Sequence, residues 1–403
     1  MNLAILRRPG YGRLFSALAI SSLGDQLLFI VLSLWVKTLT GSNGLAGLTF
    51  FFMMVPSLFG PALGVLIDRV RRRPCAVWGN LASALIVLPL LAVRTASDVW
   101  LIWTVAFLYG VSQVVLPAAH TGLAKELLPP DELVDANGLL TTISHMFRLF
   151  GPLAGAGLFA AAGGGPVALL DAASFVVAAV LIAGIRILED APAPAASHLG
   201  EEVLAGLRFL AGDPVLGRLL LGYCAANLVL GFVESAIFSV LDFFGMPAAF
   251  LGVVLTVQGV GAVIGGLLSA GFCKRFGEVA VVVGSLALLA AALGVVAGVP
   301  IFAVAMGAVV AAGFALPPLM VAFNTLVQTR TPQEVFGRVS TAVGLANGVP
   351  YAISVALGAL LVTLLSYQAI FAITAGVTLA AAGYLAFALA GDGRRGEAAA
   401  SEA

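Results

Sequence analysis

This sequence carries little charge. Only 10% of its 403 residues are Asp, Glu, Lys or Arg, and twenty acidic residues balance twenty basic ones. The even balance by itself says nothing about nucleic acid, since what matters is where the charges sit; no nucleic-acid partner is expected. Cysteine is scarce as well: Cys75, Cys224 and Cys273 are scattered and outline neither a disulfide framework nor a metal site. The chain has no Gly-x-Ser-x-Gly elbow, no phosphate-cradling Gly-x-x-x-x-Gly-Lys loop and no His/Cys ligand spacing. Catalysis, a cofactor and a resident metal are therefore not expected.

Apolar residues fill the space that charge leaves. They make up 61% of the chain, and the mean hydropathy is +1.09, which leaves too little polar surface for a water-soluble domain. Apolar runs recur at 14–38, 45–67, 75–93, 99–122, 136–161, 166–186, 215–241, 248–272, 279–298, 300–323, 337–364 and 368–390. Each is long enough to cross a bilayer with some tilt. The runs lack the alternation of barrel strands, so helices are the remaining way to satisfy the backbone in lipid. The expected fold is all-α, with twelve transmembrane helices.

The few charges orient the chain. The densest group is Asp68-Arg69-Val70-Arg71-Arg72-Arg73, between the second and third runs. With the N-terminus in the cytoplasm, every Lys and Arg except Lys37, Arg94 and Arg148 falls on or beside the cytoplasmic face. The positive-inside rule thus predicts a multi-pass protein with both termini cytoplasmic, and the expected location is the cell (bacterial inner) membrane. The first apolar run is too long for a signal-peptide core and is read as the first spanning helix.

The longest polar connection follows the sixth run. It opens with linker composition, Glu189-Asp-Ala-Pro-Ala-Pro-Ala-Ala-Ser197. It then spaces Val203, Leu207 and Leu210 as one face of a short interfacial helix. The expected organisation is an N-terminal six-helix bundle (1–186), a cytoplasmic linker (187–214), a C-terminal six-helix bundle (215–390) and a cytoplasmic tail (391–403). The halves also repeat: Leu128-Pro-Pro-Asp-Glu-Leu133 returns as Arg330-Thr-Pro-Gln-Glu-Val335, and Asp68-Arg69 has a weaker counterpart at Lys274-Arg275. Two parallel six-helix repeats are a transporter architecture, with substrate bound near mid-membrane.

Gly64-x-Leu66-x-Asp68-Arg69-x-x-Arg72-Arg73 resembles the signature loop between helices two and three of the major facilitator superfamily, with Arg71 where glycine is usual. Further stretches resemble its enterobactin-exporter and macrolide-efflux branch. These are Tyr11-x-Arg13-Leu-Phe15 with Ser22-Leu-Gly24-Asp25, Leu133-Val-Asp-Ala-Asn-Gly138, Asp171-Ala-Ala-Ser-Phe175, Gly206-Leu-Arg-Phe-Leu210 and Gly337-Arg338-Val339. Gly151-Pro152-x-x-Gly155 resembles the helix-five motif associated with antiporters, with Ala156 where a second glycine is common. The resemblance implies export by alternating access. It also implies a conformational latch in which Asp68 meets the positive end of a helix from the other bundle, with Arg69, Arg72 and Arg73 completing it or binding anionic lipid headgroups.

An ionised side chain at mid-bilayer costs ~2.5–3.5 kcal/mol even on the lenient insertion scale, so each such residue calls for a partner, a wet cavity or a function. Asp25 in helix one and Glu234 in helix seven are the candidates for proton coupling, because a carboxyl group in a partly dry cavity can exchange protons as access alternates. Either acid has an alternative, Asp25 as a permanently paired packing element and Glu234 as an outer-rim residue. Arg148 in helix five is a candidate charge partner of Asp25 or a substrate-binding cation. Gln113, Asn227, Gln258, Asn324 and Asn347 are candidates for a polar part of the substrate, although such amides also bridge helices. Asp171, near the start of helix six, is read as interfacial and structural.

The expected function is a secondary active transporter, a monomer in the lipid bilayer, that exchanges protons for small amphipathic compounds in the manner of drug and multidrug efflux. The alternatives are a specific exporter of a siderophore or other metabolite, or a lipid flippase.

Overall fold

In the computed structural model, residues 3–8, 10–60, 62–63, 67, 70–129, 132–187, 199–333 and 335–401 are described. Among them there are no strands. Thirteen α-helices follow one another: α1 Tyr11–Thr40, α2 Asn43–Leu58, α3 Arg72–Val87, α4 Val99–Leu127, α5 Leu133–Ala162, α6 Gly164–Ala183, α7 Leu199–Gly212, α8 Pro214–Phe243, α9 Leu251–Phe276, α10 Glu278–Gly298, α11 Phe302–Arg330, α12 Phe336–Leu364 and α13 Tyr367–Ser401. Short 3₁₀ turns extend α3 and precede α4 and α9. Ten helices are long and apolar enough to cross a membrane. The other two of the twelve are α2, apolar but shorter, and α5, which is as long as α1 yet carries Asp135, His145 and Arg148. The twelve-helix, two-bundle reading fits this arrangement.

Local chemistry sets the helix ends. Ser42 caps α2 by accepting from the Leu45 amide at 3.3 Å. Asp213 caps α8 by accepting from Val215 and Leu216, each at 2.8 Å, with Pro214 in the first helical position, where its missing N–H costs nothing. At the C-terminal end of α6, the guanidinium groups of Arg13 and Arg73 donate to the Gly184 and Ala183 carbonyls. Cations suit that negative end.

The chain divides into two compact units, residues 1–197 with 246–256, and residues 198–245 with 257–403. The same neighbours recur in each. α1 packs on α5 and α6 as α8 packs on α12 and α13, and α3 packs on α4 and α6 as α10 packs on α11 and α13. α2 packs on α4, while Gly261, Gly265 and Gly313 bring α9 against α11. In-helix prolines also fall in matching helices, Pro117 in α4 with Pro317 and Pro318 in α11, and Pro152 in α5 with Pro350 in α12. The duplication visible in loop motifs is thus also a duplication of packing.

The helix α7 packs on α12 of its own unit. Leu210 is buried and Gly206 lies against the Arg338 carbonyl of α12, whereas Leu207 is exposed. The close approach at Gly206 rotates Leu204 and Leu207 outward. The helix is joined to the second unit again where Arg330 pairs with Asp213 at 3.8 Å.

Candidate functional site

Each unit holds a carboxyl group against a tyrosine inside its membrane helices. In the first, Asp25 is half-buried in the middle of α1, and the hydroxyl of Tyr109 on α4 donates to Asp25 Oδ1 at 2.5 Å. Gln113, one turn after Tyr109 and exposed, lies beside both groups. Tyr109 is itself buried and packs edge-on against Phe175 of α6, their ring centroids 6.4 Å apart.

The second unit repeats the theme with different helices. Glu234 on α8 accepts a 2.5 Å hydrogen bond from the hydroxyl of Tyr351 on α12. Two turns earlier on α8, Asn227 adjoins Tyr223, whose ring stacks on Phe323 of α11 at 4.5 Å. Asn347 lies one turn before Tyr351, and its Oδ1 is buried without a hydrogen-bond partner among the described residues, as is Nδ2 of Asn227. Close contact of α8 with α12 is enforced where Gly231 meets Val355 and Gly358 meets Phe232. Ser235 Oγ donates to the Val355 carbonyl at 2.9 Å across the same seam.

The remaining candidates are placed as follows. Gly151 and Gly155 line the seam of α5 with α1, where a Cβ on either would run into Gln26 or the Leu27 carbonyl, and Pro152 sits between them in α5. Arg148 is exposed on α5 and has no hydrogen-bond or ion-pair partner among the described residues; the partner of Asp25 is Tyr109. Gln258 is half-buried on α9 and Asn324 exposed on α11, neither in the Glu234–Tyr351 hydrogen bond. Asp68 and Arg69 lie outside the described residues. Arg72 donates to the Ile67 carbonyl at 2.9 Å and Arg73 to the Ala183 carbonyl, both within the first unit.

One reading from sequence needs correction. Asp171 is not interfacial: α6 begins at Gly164, and the Asp171 side chain is 0% exposed inside the first unit. The helix starts earlier than the apolar run suggests because Gly164 and Gly165 extend it, so Asp171 lies two turns deep. Tyr109, Tyr351 and Tyr223 were also passed over. Their signal was present, since Tyr109, Tyr223 and Tyr351 stand four residues from the singled-out Gln113, Asn227 and Asn347, hence on shared helix faces.

A helical membrane protein with two like-built units, each holding a carboxyl group against a tyrosine, has the architecture of a secondary transporter. The family model of the Major Facilitator Superfamily matches residues 14–354 and 219–402. The chain belongs to that superfamily. It is 29% identical over 302 residues to the multidrug efflux pump Tap of Mycolicibacterium fortuitum, covering 72% of each chain. It is 23% identical to macrolide efflux protein A of Streptococcus pyogenes, covering 85% of this chain and 86% of that one. To the enterobactin exporter EntS of Shigella boydii it is 24% identical, covering 84% and 82%. Among solved structures, the fold is similar to the nucleoside transporter NupG (TM-score 0.76, 12% identity, 96% and 99% covered). It is also similar to a bacterial homologue of the iron transporter ferroportin (TM-score 0.74, 16% identity, 96% and 99% covered).

Proposed function

We propose that this protein is a proton-coupled antiporter that exports small amphipathic compounds by alternating access. The observation that carries the reading is the pair of carboxyl–tyrosine hydrogen bonds, Asp25 with Tyr109 and Glu234 with Tyr351, one in each unit at 2.5 Å. A carboxyl group inside a membrane bundle, steadied by a neutral hydroxyl rather than by a cation, can take up and release a proton without breaking an ion pair. The similarity to Tap and to macrolide efflux protein A supports export of drug-like molecules. In this reading Gln113, Asn227, Asn347, Gln258 and Asn324 offer hydrogen bonds to the cargo. The halves 1–186 and 215–390 rock against one another, and Asp68 with Arg69, Arg72 and Arg73 latches the cytoplasmic side.

A second reading rests on Arg148. An exposed guanidinium without a partner among the described residues suits an anionic cargo, which favours a specific exporter of a siderophore or other acidic metabolite. Proteoliposome transport driven by a pH gradient separates the two. A panel of ethidium, a macrolide and a catecholate siderophore is offered to wild type, Asp25→Asn and Arg148→Ala. Drug efflux predicts transport of ethidium or the macrolide that Asp25→Asn abolishes. The second reading predicts siderophore transport lost in Arg148→Ala, and full gradient-driven transport by Asp25→Asn contradicts the coupling role.

A further inference from the structure

We propose that Asp171 is the second carboxyl group of a two-carboxyl proton site that it forms with Asp25. The proposal rests on the proton-coupled reading above and deepens it, from one acid in the first unit to a coupled pair.

The placement of Asp171 is unusual. It is 0% exposed, and neither carboxyl oxygen has a hydrogen-bond partner among the described residues. Its own helix offers nothing, because the nearby Ser174 hydroxyl donates to the Asp171 backbone carbonyl at 2.7 Å. The carboxyl group instead faces α1 at Gly24, where an added Cβ would lie 2.6 Å from Asp171 Oδ1. The residue after Gly24 is Asp25, which interacts electrostatically with Asp171, and Tyr109 interacts with both. Gly24 is thus the gap through which two acids on neighbouring helices sense each other.

Among the described residues no cation is placed against this pair. From α1 the Asp171 carboxyl lies against Gly24, with Asp25 the next residue, and on α4 Tyr109 bonds to Asp25. The titratable groups of α3 are Arg72, Arg73 and Cys75, all in its first turn, and Arg73 is bonded to Ala183 at the opposite end of α6. On α5, His145 and Arg148 are exposed and Asp135 sits in the first turn. Two like charges at close range without a counter-charge are costly, so the pair has reason to hold a proton between them. No three His, Cys, Asp or Glu side chains converge as metal ligands among the described residues, which favours a proton over a divalent cation as the occupant.

The step balances simply. A proton on one carboxyl group leaves its oxygen as the other carboxylate, or an entering water, accepts it. Singly protonated, the pair carries one negative charge, with the Tyr109 hydroxyl donating to Asp25. A second proton makes the pair neutral. Asp25 is the member nearer the exposed Gln113 and Asp171 the enclosed one, so Asp25 exchanges with water and Asp171 stores.

The test is a pH titration of the purified full-length protein in lipid nanodiscs, followed by infrared difference spectroscopy of the protonated-carboxyl C=O stretch. Wild type is compared with Asp171→Asn and Asp25→Asn. The proposal predicts that each substitution deletes one carboxyl band and moves the midpoint of the remaining one by about one pH unit or more, as interacting sites require. If Asp171→Asn leaves the Asp25 midpoint where it was, the pair does not exist. Should Asp171→Asn not fold, Asp25→Asn carries the test alone: a midpoint for the Asp171 band equal to its wild-type value overturns the proposal. Because the titration needs neither cargo nor gradient, its outcome is independent of whether transport is proton-driven.

Discussion

At the residue scale, the account turns on two carboxyl groups and the tyrosines that hold them. A hydrogen bond to a charged group contributes about 1.5–3 kcal/mol, and each 1.4 kcal/mol is a tenfold change in rate or population. Tyr109→Phe is therefore expected to lower gradient-driven transport roughly tenfold or more while the protein stays folded, because the ring remains packed on Phe175. Tyr351→Phe should act likewise through Glu234, with proteoliposome flux as the readout for both. Asp25 and Glu234 were legible in the sequence because an acid in the middle of an apolar run has no innocuous place to be. Their partners were harder to find, since a tyrosine in such a run is as readily a packing residue, and only the crossing of α1 with α4, or of α8 with α12, selects one hydroxyl. Asp171 is hard to place from sequence for a simpler reason: its depth depends on where α6 begins, and two glycines before an apolar run do not announce a helix.

At the element scale, glycines decide which helices touch. Gly155 of α5 faces the Leu27 carbonyl of α1, whereas Gly157, two residues on, has open space around it. Adding a methyl group at Gly155 forces the helices apart, with an overpacking cost of about 1–3 kcal/mol. The same change at Gly157 removes only a poor helix former, worth about 1 kcal/mol in the other direction. Gly155→Ala is thus expected to lower the thermal midpoint in detergent and reduce transport, and Gly157→Ala to leave the midpoint unchanged or raised. Helix number and type were readable from the length of the apolar runs. The surface on which α7 packs was not, because nothing in its own spacing points to the Arg338 carbonyl that Gly206 meets.

At the scale of the whole molecule, repetition is the main fact: two units with the same helix neighbours, each with a carboxyl group on its first membrane helix held by a tyrosine. The proposed topology predicts sidedness. Ser97→Cys, between α3 and α4, is expected to react with a membrane-impermeant maleimide from outside intact cells. Lys274→Cys, at the end of α9, should react only in inverted vesicles; the reverse pattern would invert the orientation.

The central claim, exchange of cargo for protons, is tested most directly by recording lumenal pH and cargo flux together in proteoliposomes. With a transported member of the panel on one side and no pre-formed gradient, the account predicts proton movement opposite to cargo flux, abolished in Asp25→Asn. Cargo flux without any proton movement, or proton movement that persists undiminished in Asp25→Asn, would contradict it.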